Sequence, residues 1–281
     1  MRTAGIEDMS GISIGGRRLN NLRYADDTTL IAKSKEELSA LIQQVKIASE
    51  AAGLMLNVKK TKIMATEAVQ KFKVGSEKLD IVKEFNFLGA TINKDADCEK
   101  EIRRRIGMGR ASMSKLEKVM KDRDVSQGVK TKLVQTLIFP VVTYGSESWT
   151  IKKADQKRIE AFELWVWRRL LRVPWTARKT NSWVLNKIKT KISLLNTIDR
   201  GRLTYFGHIM RADNSLEKVI MQGSMEGKRG RGRPRTRWWD NILARVRKRP
   251  IETIRAVTDR SEWRQLVSLV TRGRNRPEGD R

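Results

Sequence analysis

Two adjacent carboxylates, Asp26 and Asp27, interrupt a stretch that otherwise reads as extended chain. Asn21-Leu22-Arg23-Tyr24 precedes them and Thr28-Thr29-Leu30-Ile31 follows. Tyr24, Thr28, Thr29 and Ile31 are aromatic or β-branched, types that fit a pleated surface. Aspartate bonds nearby backbone and favours a reversal, so the two runs are expected to pair as a β-hairpin with the acids at its tip. A turn needs only one such side chain. Two anions at one turn repel, and water or a divalent cation must offset that. The pair therefore reads either as an exposed acidic turn or as part of a cation site.

Short extended runs dominate the residues around it. Gly15-Gly16 between Gly11–Ile14 and Arg17–Leu19 predicts a tight hairpin, because two-residue turns of this kind take positive φ. Ser34 and Glu37 form a capping-box pair that opens a helix. Leu38, Leu41, Ile42, Val45 and Ala52 mark its apolar face, and Gly53 stands where a left-handed stop is wanted. Leu54, Leu56 and Val58 alternate as in a half-buried strand, ahead of the lysines at 59, 60 and 62, which read as a solvated turn or as a phosphate-facing group. Strands are expected around Phe72–Val74 and Ile81–Val82, and over Phe85–Ile92, where Gly89 suggests a bulge in a core strand.

After Asp97 the period becomes helical. Ile102, Ile106, Met113, Leu116 and Met120 form one stripe, with Arg103, Arg104, Arg105, Arg110 and Lys115 off it. Val129, Leu133 and Leu137 mark a further helix that Pro140 should end or kink. Ile159, Phe162, Val166 and Leu170 mark another. Trp238, Ile242 and Val246, and then Trp263, Leu266, Val267 and Val270, mark two more. Gly227–Arg237 is a cationic linker in which Arg229, Arg231, Arg233, Arg235 and Arg237 suit phosphate contact; Arg231-Gly232-Arg233-Pro234 also matches the core of an AT-hook.

Charge separates the chain into two regimes. Residues 1–99 carry 15 basic and 14 acidic side chains, whereas residues 100–281 carry 44 and 18, a net of +26. All 8 tryptophans lie at or after Trp149. A field of that size points to a polyanion, nucleic acid before membrane. The single cysteine, Cys98, and single histidine, His208, cannot build a disulfide or a zinc site within one chain. That fits an intracellular protein, and His208 reads as structural. The apolar run Leu137–Val142 is too short to span a bilayer, and no signal-peptide core is visible near Met1.

Tyr24-Ala25-Asp26-Asp27 resembles the Tyr-x-Asp-Asp motif of reverse transcriptases. Gly53, Asn57, Lys60, Thr61 and Lys62, then Phe87-Leu88-Gly89, follow in the order of LINE-type non-LTR retrotransposon polymerases. Pro140–Trp149 and Gly201–Arg211 also look like that family, with no chemistry assigned to either. The resemblance implies an α+β fold: a small antiparallel palm-like sheet with a packed helix, then a mainly helical thumb and C-terminal region. The expected divisions are 1–97, 98–175, 176–271 with the linker at 227–237, and a disordered tail at 272–281. It implies RNA-directed DNA polymerisation with Mg2+ on Asp26 and Asp27, of which Asp26 is the better direct ligand, and Lys60 as general acid toward pyrophosphate. Phe87, Leu88 and Gly89 would grip the primer, and Arg103, Arg104 and Arg110 would face a duplex.

The family draws a third aspartate from an earlier strand. Before Tyr24 only Asp8 is at hand beside Glu7, in an unpatterned stretch. The chain is thus expected to be inactive alone and to bind RNA and DNA, possible partners including a complementary polymerase segment. The nucleus is expected before the cytoplasm. The alternative is a basic nucleic-acid-binding protein without catalysis.

Overall fold

The computed structural model describes residue 9 and residues 11–272, apart from 68, 76, 191, 225–231 and 233. Two units emerge, Met1–Ala96 with Asn214–Arg233, and Asp97–Asp213 with Pro234–Arg281. The class is α+β, with small sheets toward the N-terminus and a mainly helical remainder.

In the first unit, β1 (Ile12–Ile14) and β2 (Arg17–Leu19) form the expected hairpin, with Gly15 and Gly16 at φ +54° and +78°. β3 (Asn21–Tyr24) and β4 (Asp27–Leu30) pair antiparallel with Tyr24 opposite Asp27. α1 (Lys35–Ala51) starts at Ser34, whose hydroxyl accepts from the Glu37 amide. The Glu37 carboxylate reaches one residue further back than a capping box requires, accepting from Lys33 N–H at 3.0 Å. At the other end Gly53 takes φ +75°, so that its amide bonds Glu50 O and the Leu54 amide bonds Ser49 O.

Leu41 and Ile42 are buried as expected, but Ala52 lies past the helix and is exposed. Leu54–Val58 is not a strand. Asn57 folds the chain into a turn, its carbonyl accepting from the Lys60 and Thr61 amides, and Leu54 is left 53% exposed. Only β5 (Lys62–Ile63) is extended there. It runs parallel to β7 (Glu77–Ile81), which pairs antiparallel with β6 (Phe72–Val74). Ile42 of α1 packs on Ile63, Phe72, Val74 and Leu79 of this sheet. β8 (Glu84–Phe87) and β9 (Ala90–Asn93) form a separate hairpin. Its turn is Leu88-Gly89 at φ +47° and +77°, and Phe85, Leu88 and Ile92 are 37%, 41% and 45% exposed. It is thus a tight exposed hairpin, with the glycine in the turn and no bulge in a core strand. Among the described residues the expected small, largely antiparallel β region is present as four short sheets, in which only the β5–β7 pair is parallel.

The second unit opens with α2 (Glu99–Lys115) and α3 (Glu117–Lys121), on which Ile102, Ile106, Met113 and Met120 are buried. Arg105, expected on the wet side, is buried as well. Its Nε donates to Glu101 at 2.7 Å and its guanidinium stacks 4.4 Å from the Tyr144 ring centre. α4 (Gln127–Leu133) continues through a wide π-helical turn, Val134–Ile138, into α5 (Phe139–Thr143). Pro140 can donate no amide hydrogen and crowds the preceding turn. The chain widens there, with Phe139 N–H reaching back to Val134 O.

The inward stripe of this segment is one residue off the expected one. Val134 and Ile138 are fully buried, while Val129 and Leu137 are 52% and 50% exposed. Both stripes share a spacing of four, so periodicity cannot choose between them. The winning face carries Lys130, whose ammonium is satisfied by the Asp122 carbonyl.

α6 (Lys153–Leu170) is the spine of the core, with Ile159, Phe162, Val166, Trp167 and Leu170 all buried. Its buried Glu163 accepts from Trp167 Nε1 at 3.0 Å and from the Leu194 amide at 2.9 Å, which joins α6 to the start of α8 (Leu194–Arg211) past α7 (Asn181–Ile188). α9 (Leu216–Gln222) belongs to the first unit, where Gly15 N–H donates to Ser224 O at 3.1 Å and Arg17 Nη1 donates to Asn214 O at 2.7 Å. α10 (Trp238–Val246), α11 (Pro250–Thr258) and α12 (Arg260–Thr271) complete the second unit.

A polar knot ties α8 to α10. Asp199 accepts from Arg202 at 3.1 Å and lies 3.1 Å from Arg245 Nε, and Asn241 Oδ1 accepts from Arg202 and from the Ile151 amide. Burial pushes the Asp199 carboxyl up and the Arg202 guanidinium down, against the pull of their mutual attraction.

A Cβ on Gly109 would lie 2.4 Å from Val142 Cγ2 and 2.9 Å from Phe162 Cζ, whereas one on Gly107 meets nothing. We therefore expect Gly109→Ala to destabilise the protein by roughly 1–3 kcal/mol through overpacking. Gly107→Ala should be stabilising by up to about 1 kcal/mol through helix propensity. Urea unfolding of the two variants checks the opposite signs.

Candidate active site and nucleic-acid interface

The acid-bearing hairpin is anchored at its base and open at its tip. Asn20, 5% exposed, donates to Met9 O at 3.1 Å, accepts from Asn21 Nδ2 at 2.6 Å and offers its carbonyl to the Ile31 amide. At the far end Ala25 and Asp26 make the two-residue reversal and Asp27 begins β4. Ala25 sits at φ +52°, a left-handed conformation that costs a non-glycine residue roughly 1–2 kcal/mol. Asp26, Asp27 and Tyr24 are exposed, Tyr24 by 65%. Both aspartates are thus solvent-exposed at a strained tip.

Lys60 stands on the turn after α1, its backbone amide bonded to Asn57 Oδ1 at 3.1 Å and its side chain exposed. Lys62 is committed elsewhere, with Nζ 2.6 Å from Asp80 Oδ2, and that contact holds the Asp80 carboxyl below its usual range. Phe87 ends β8, and Leu88-Gly89 is the adjoining turn. So the structure holds Asp26 and Asp27 together, and carries Lys60 and Phe87–Gly89 on two other turns of the same unit.

Hard carboxylate oxygens suit Mg2+ in type and charge, but Mg2+ takes about six oxygen ligands. Among the described residues no group of three Asp, Glu, His or Cys side chains is placed to hold a metal ion. Asp26 and Asp27 therefore fit part of a divalent-cation site and leave most of its coordination to water or to other donors.

On the second unit, Arg103 Nη2 lies 2.6 Å from Glu99 Oε1, and Arg104 grips Glu101 through two bonds of 2.7 Å, which raises its own affinity for a proton. Their charge is partly answered within α2. Arg110 lies 5.7 Å from the Trp165 ring centre, and Arg169, overlooked in the sequence, lies 5.5 Å from it. Arg235 is exposed, and the Arg237 amide caps α10 through Asp240 Oδ2 at 2.8 Å. Arg229, Arg231 and Arg233 lie outside the described residues. A second constellation the sequence reading passed over is a cleft of α8 and α12 lined by Arg200, Arg211, Arg260 and Arg264. Its signal was available, since 200, 204 and 208, like 260, 264 and 268, recur every four residues.

Residues 7–92 match the reverse transcriptase family. The model in question is that of "Reverse transcriptase (RNA-dependent DNA polymerase)", and its span includes the whole acid-bearing hairpin, α1, the Asn57 turn and β8–β9 up to residue 92. The chain is also 28% identical over 273 residues to an uncharacterized transposon-derived protein of Caenorhabditis elegans, covering 90% of this chain and 97% of that one. The reverse-transcriptase-like segment coincides with the near-neutral part of the sequence, and the cationic part lies beyond it. Among the described residues no helix is long and apolar enough to cross a membrane.

Two adjacent carboxylates should hold Mn2+ weakly, on the order of millimolar, as expected for so few charged ligands. Paramagnetic broadening of the amide signals of residues 24–28 on Mn2+ titration, lost in the double variant Asp26→Asn/Asp27→Asn, is the expected result. Equal broadening in the double variant would place the ion elsewhere.

Proposed function

We propose that this chain carries the Asp-pair end of a LINE-type reverse transcriptase active site, followed by a cationic helical unit that binds nucleic acid. The observation that carries this reading is Tyr24-Ala25-Asp26-Asp27 at an exposed hairpin tip inside the segment that matches the reverse transcriptase family. Asp26 and Asp27 are the metal-binding residues. Mg2+ bound there would supply activation of a primer hydroxyl and shielding of the pyrophosphate that leaves. Lys60 would hold a proton for that leaving group, and the exposed turn at Phe87–Gly89 would position the primer. Arg103, Arg104, Arg110, Arg235 and Arg237 contribute to phosphate contact.

Two carboxylates among the described residues fall short of a complete site, so a further acid has to come from outside the described residues or from another segment. On its own the chain binds RNA and DNA without extending a primer. A second reading is a nucleic-acid-binding protein with no catalytic partner, favoured by the same shortage of carboxylates and by the net +26 of residues 100–281. The two differ on Asp26 and Asp27, since polymerisation needs both and binding needs neither.

Filter or anisotropy binding to a 20-nucleotide RNA should weaken steeply with salt, because neutralising phosphates releases counterions. Affinity should be unchanged in Asp26→Ala/Asp27→Ala. Primer extension on an RNA template should be absent for the chain alone and restored, in an Asp26-dependent way, by adding the preceding polymerase segment. Robust extension by the chain alone, abolished by Asp26→Ala, contradicts the incomplete-site reading. Failure of the added segment to restore synthesis leaves the binding protein as the better account.

A further inference from the structure

Helices α8 and α12 pack closely, and a single glycine lets them do so. A Cβ at Gly207 would fall 2.4 Å from Trp263 Nε1, the atom that donates to Leu203 O at 3.0 Å. Trp263, 2% exposed, becomes the floor of a cavity of about 320 Å³ between the two helices. Its walls are cationic. Arg200 and Arg211 come from α8, and Arg260 and Arg264 from α12. Thr204, His208 and Ser268 add hydroxyl and imidazole groups, and among the described residues no carboxylate lines the cavity.

These guanidinium groups differ from those of α2. Among the described residues, no carboxylate pairs with Arg200, Arg260 or Arg264. Arg211 spends one bond on Val257 O at 3.1 Å. Asp259, the acid that precedes α12, caps that helix, accepting from the Ser261 and Glu262 amides at 2.6 and 3.0 Å. Partial burial and the fields of Arg260 and Arg264 lower the Arg211 pKa, so the charges sit close enough to feel one another. Four like charges gathered at a concave surface, with no counter-charge among the described residues, call for an anion.

The chemistry of the walls narrows the ligand. Planar guanidinium forks with flanking hydroxyls match phosphate oxygens. The indole at the floor is buried with its N–H already bonded, so the cavity offers no open aromatic face on which a base could stack. It suits phosphates and ignores bases.

We propose that the α8–α12 cavity is a sequence-independent binding site for the sugar–phosphate backbone of nucleic acid. It deepens the reading of the protein as a nucleic-acid binder and assigns that binding to a place outside the segment resembling reverse transcriptases. Free polyphosphate shares the ligand chemistry and is separated from it by the test.

The test uses the full chain. Arg260→Ala/Arg264→Ala removes two exposed charges of the cavity, and Lys153→Ala/Lys157→Ala removes two exposed charges of α6 as a control matched in charge. Binding to a 20-nucleotide strand and a 20-base-pair duplex of unrelated sequences is followed from 50 to 200 mM salt. The cavity variant should lose about tenfold or more in affinity for every sequence, and its log–log salt slope should fall by about 2, the number of phosphate contacts removed. The control should change little. Thr204→Glu, an exposed helical position that would bring a carboxylate into the cavity, should weaken binding likewise with an unchanged melting temperature.

Equal loss in cavity variant and control overturns the proposal in favour of a diffuse field. So does tight binding of inorganic tripolyphosphate that depends on Arg260 and Arg264 while nucleic-acid binding does not. A wild-type chain that fails to bind either nucleic acid defeats the broader reading itself, a result distinct from the other two.

Discussion

Like charges crowded into a small volume must find counter-charges inside the protein or outside it, and that constraint governs the helical unit. Several of its acids are drawn inward. Glu101, Asp155, Glu163 and Asp199 are all nearly or fully buried, where they hold arginines, an indole and helix amides in place. These buried carboxylates serve packing, and Glu101 and Asp155 also answer part of the charge of Arg104 and Arg158 at the surface. Some outer arginines keep a carboxylate, as Arg103 does with Glu99, but among the described residues none pairs with Arg200, Arg260 or Arg264 of the α8–α12 cavity. Breaking the inward pairs would be costly, since a buried charge without its partner destabilises by roughly 3–5 kcal/mol.

The reverse-transcriptase-like segment works under the opposite balance. Its near-neutral composition leaves two carboxylates as the main local charge feature at the β3–β4 tip, and the anchoring lies behind them, in Asn20 and the packing of α1. The tip itself is exposed and strained at Ala25. Local backbone strain is tolerated when the surrounding structure over-determines it. Here the four-residue register from Asn21–Leu30 to Tyr24–Asp27 does so.

Much of this was legible in the residues, and the failures have physical causes. Gly15-Gly16, Ser34 with Glu37, and Gly53 signal local backbone geometry, and the turns and caps form at those positions. The α6 stripe is read without ambiguity because only one of its faces is apolar. At α4 two apolar stripes compete, and the tertiary partner, α2, decides for Val134 and Ile138. Leu54–Val58 alternates like a strand, yet Asn57 reverses the chain there, its carbonyl and side chain taking up the Lys60 and Thr61 amides. The return of Asn214–Ser224 onto the first hairpin is a long-range contact with no local signature. Of the candidate site, the acid pair was visible, whereas the α8–α12 cavity needs two helices far apart in sequence to meet.

On the reading proposed above, nucleic acid is held by the cationic helical unit and the aspartate hairpin adds nothing to affinity. Ultraviolet cross-linking of the full chain to a uniformly labelled RNA, with the adducts mapped by mass spectrometry, tests it most directly. Adducts concentrated in residues 97–213 and 234–271, including peptides of α8 and α12, are the expected result. Adducts confined to residues 11–96 would contradict it.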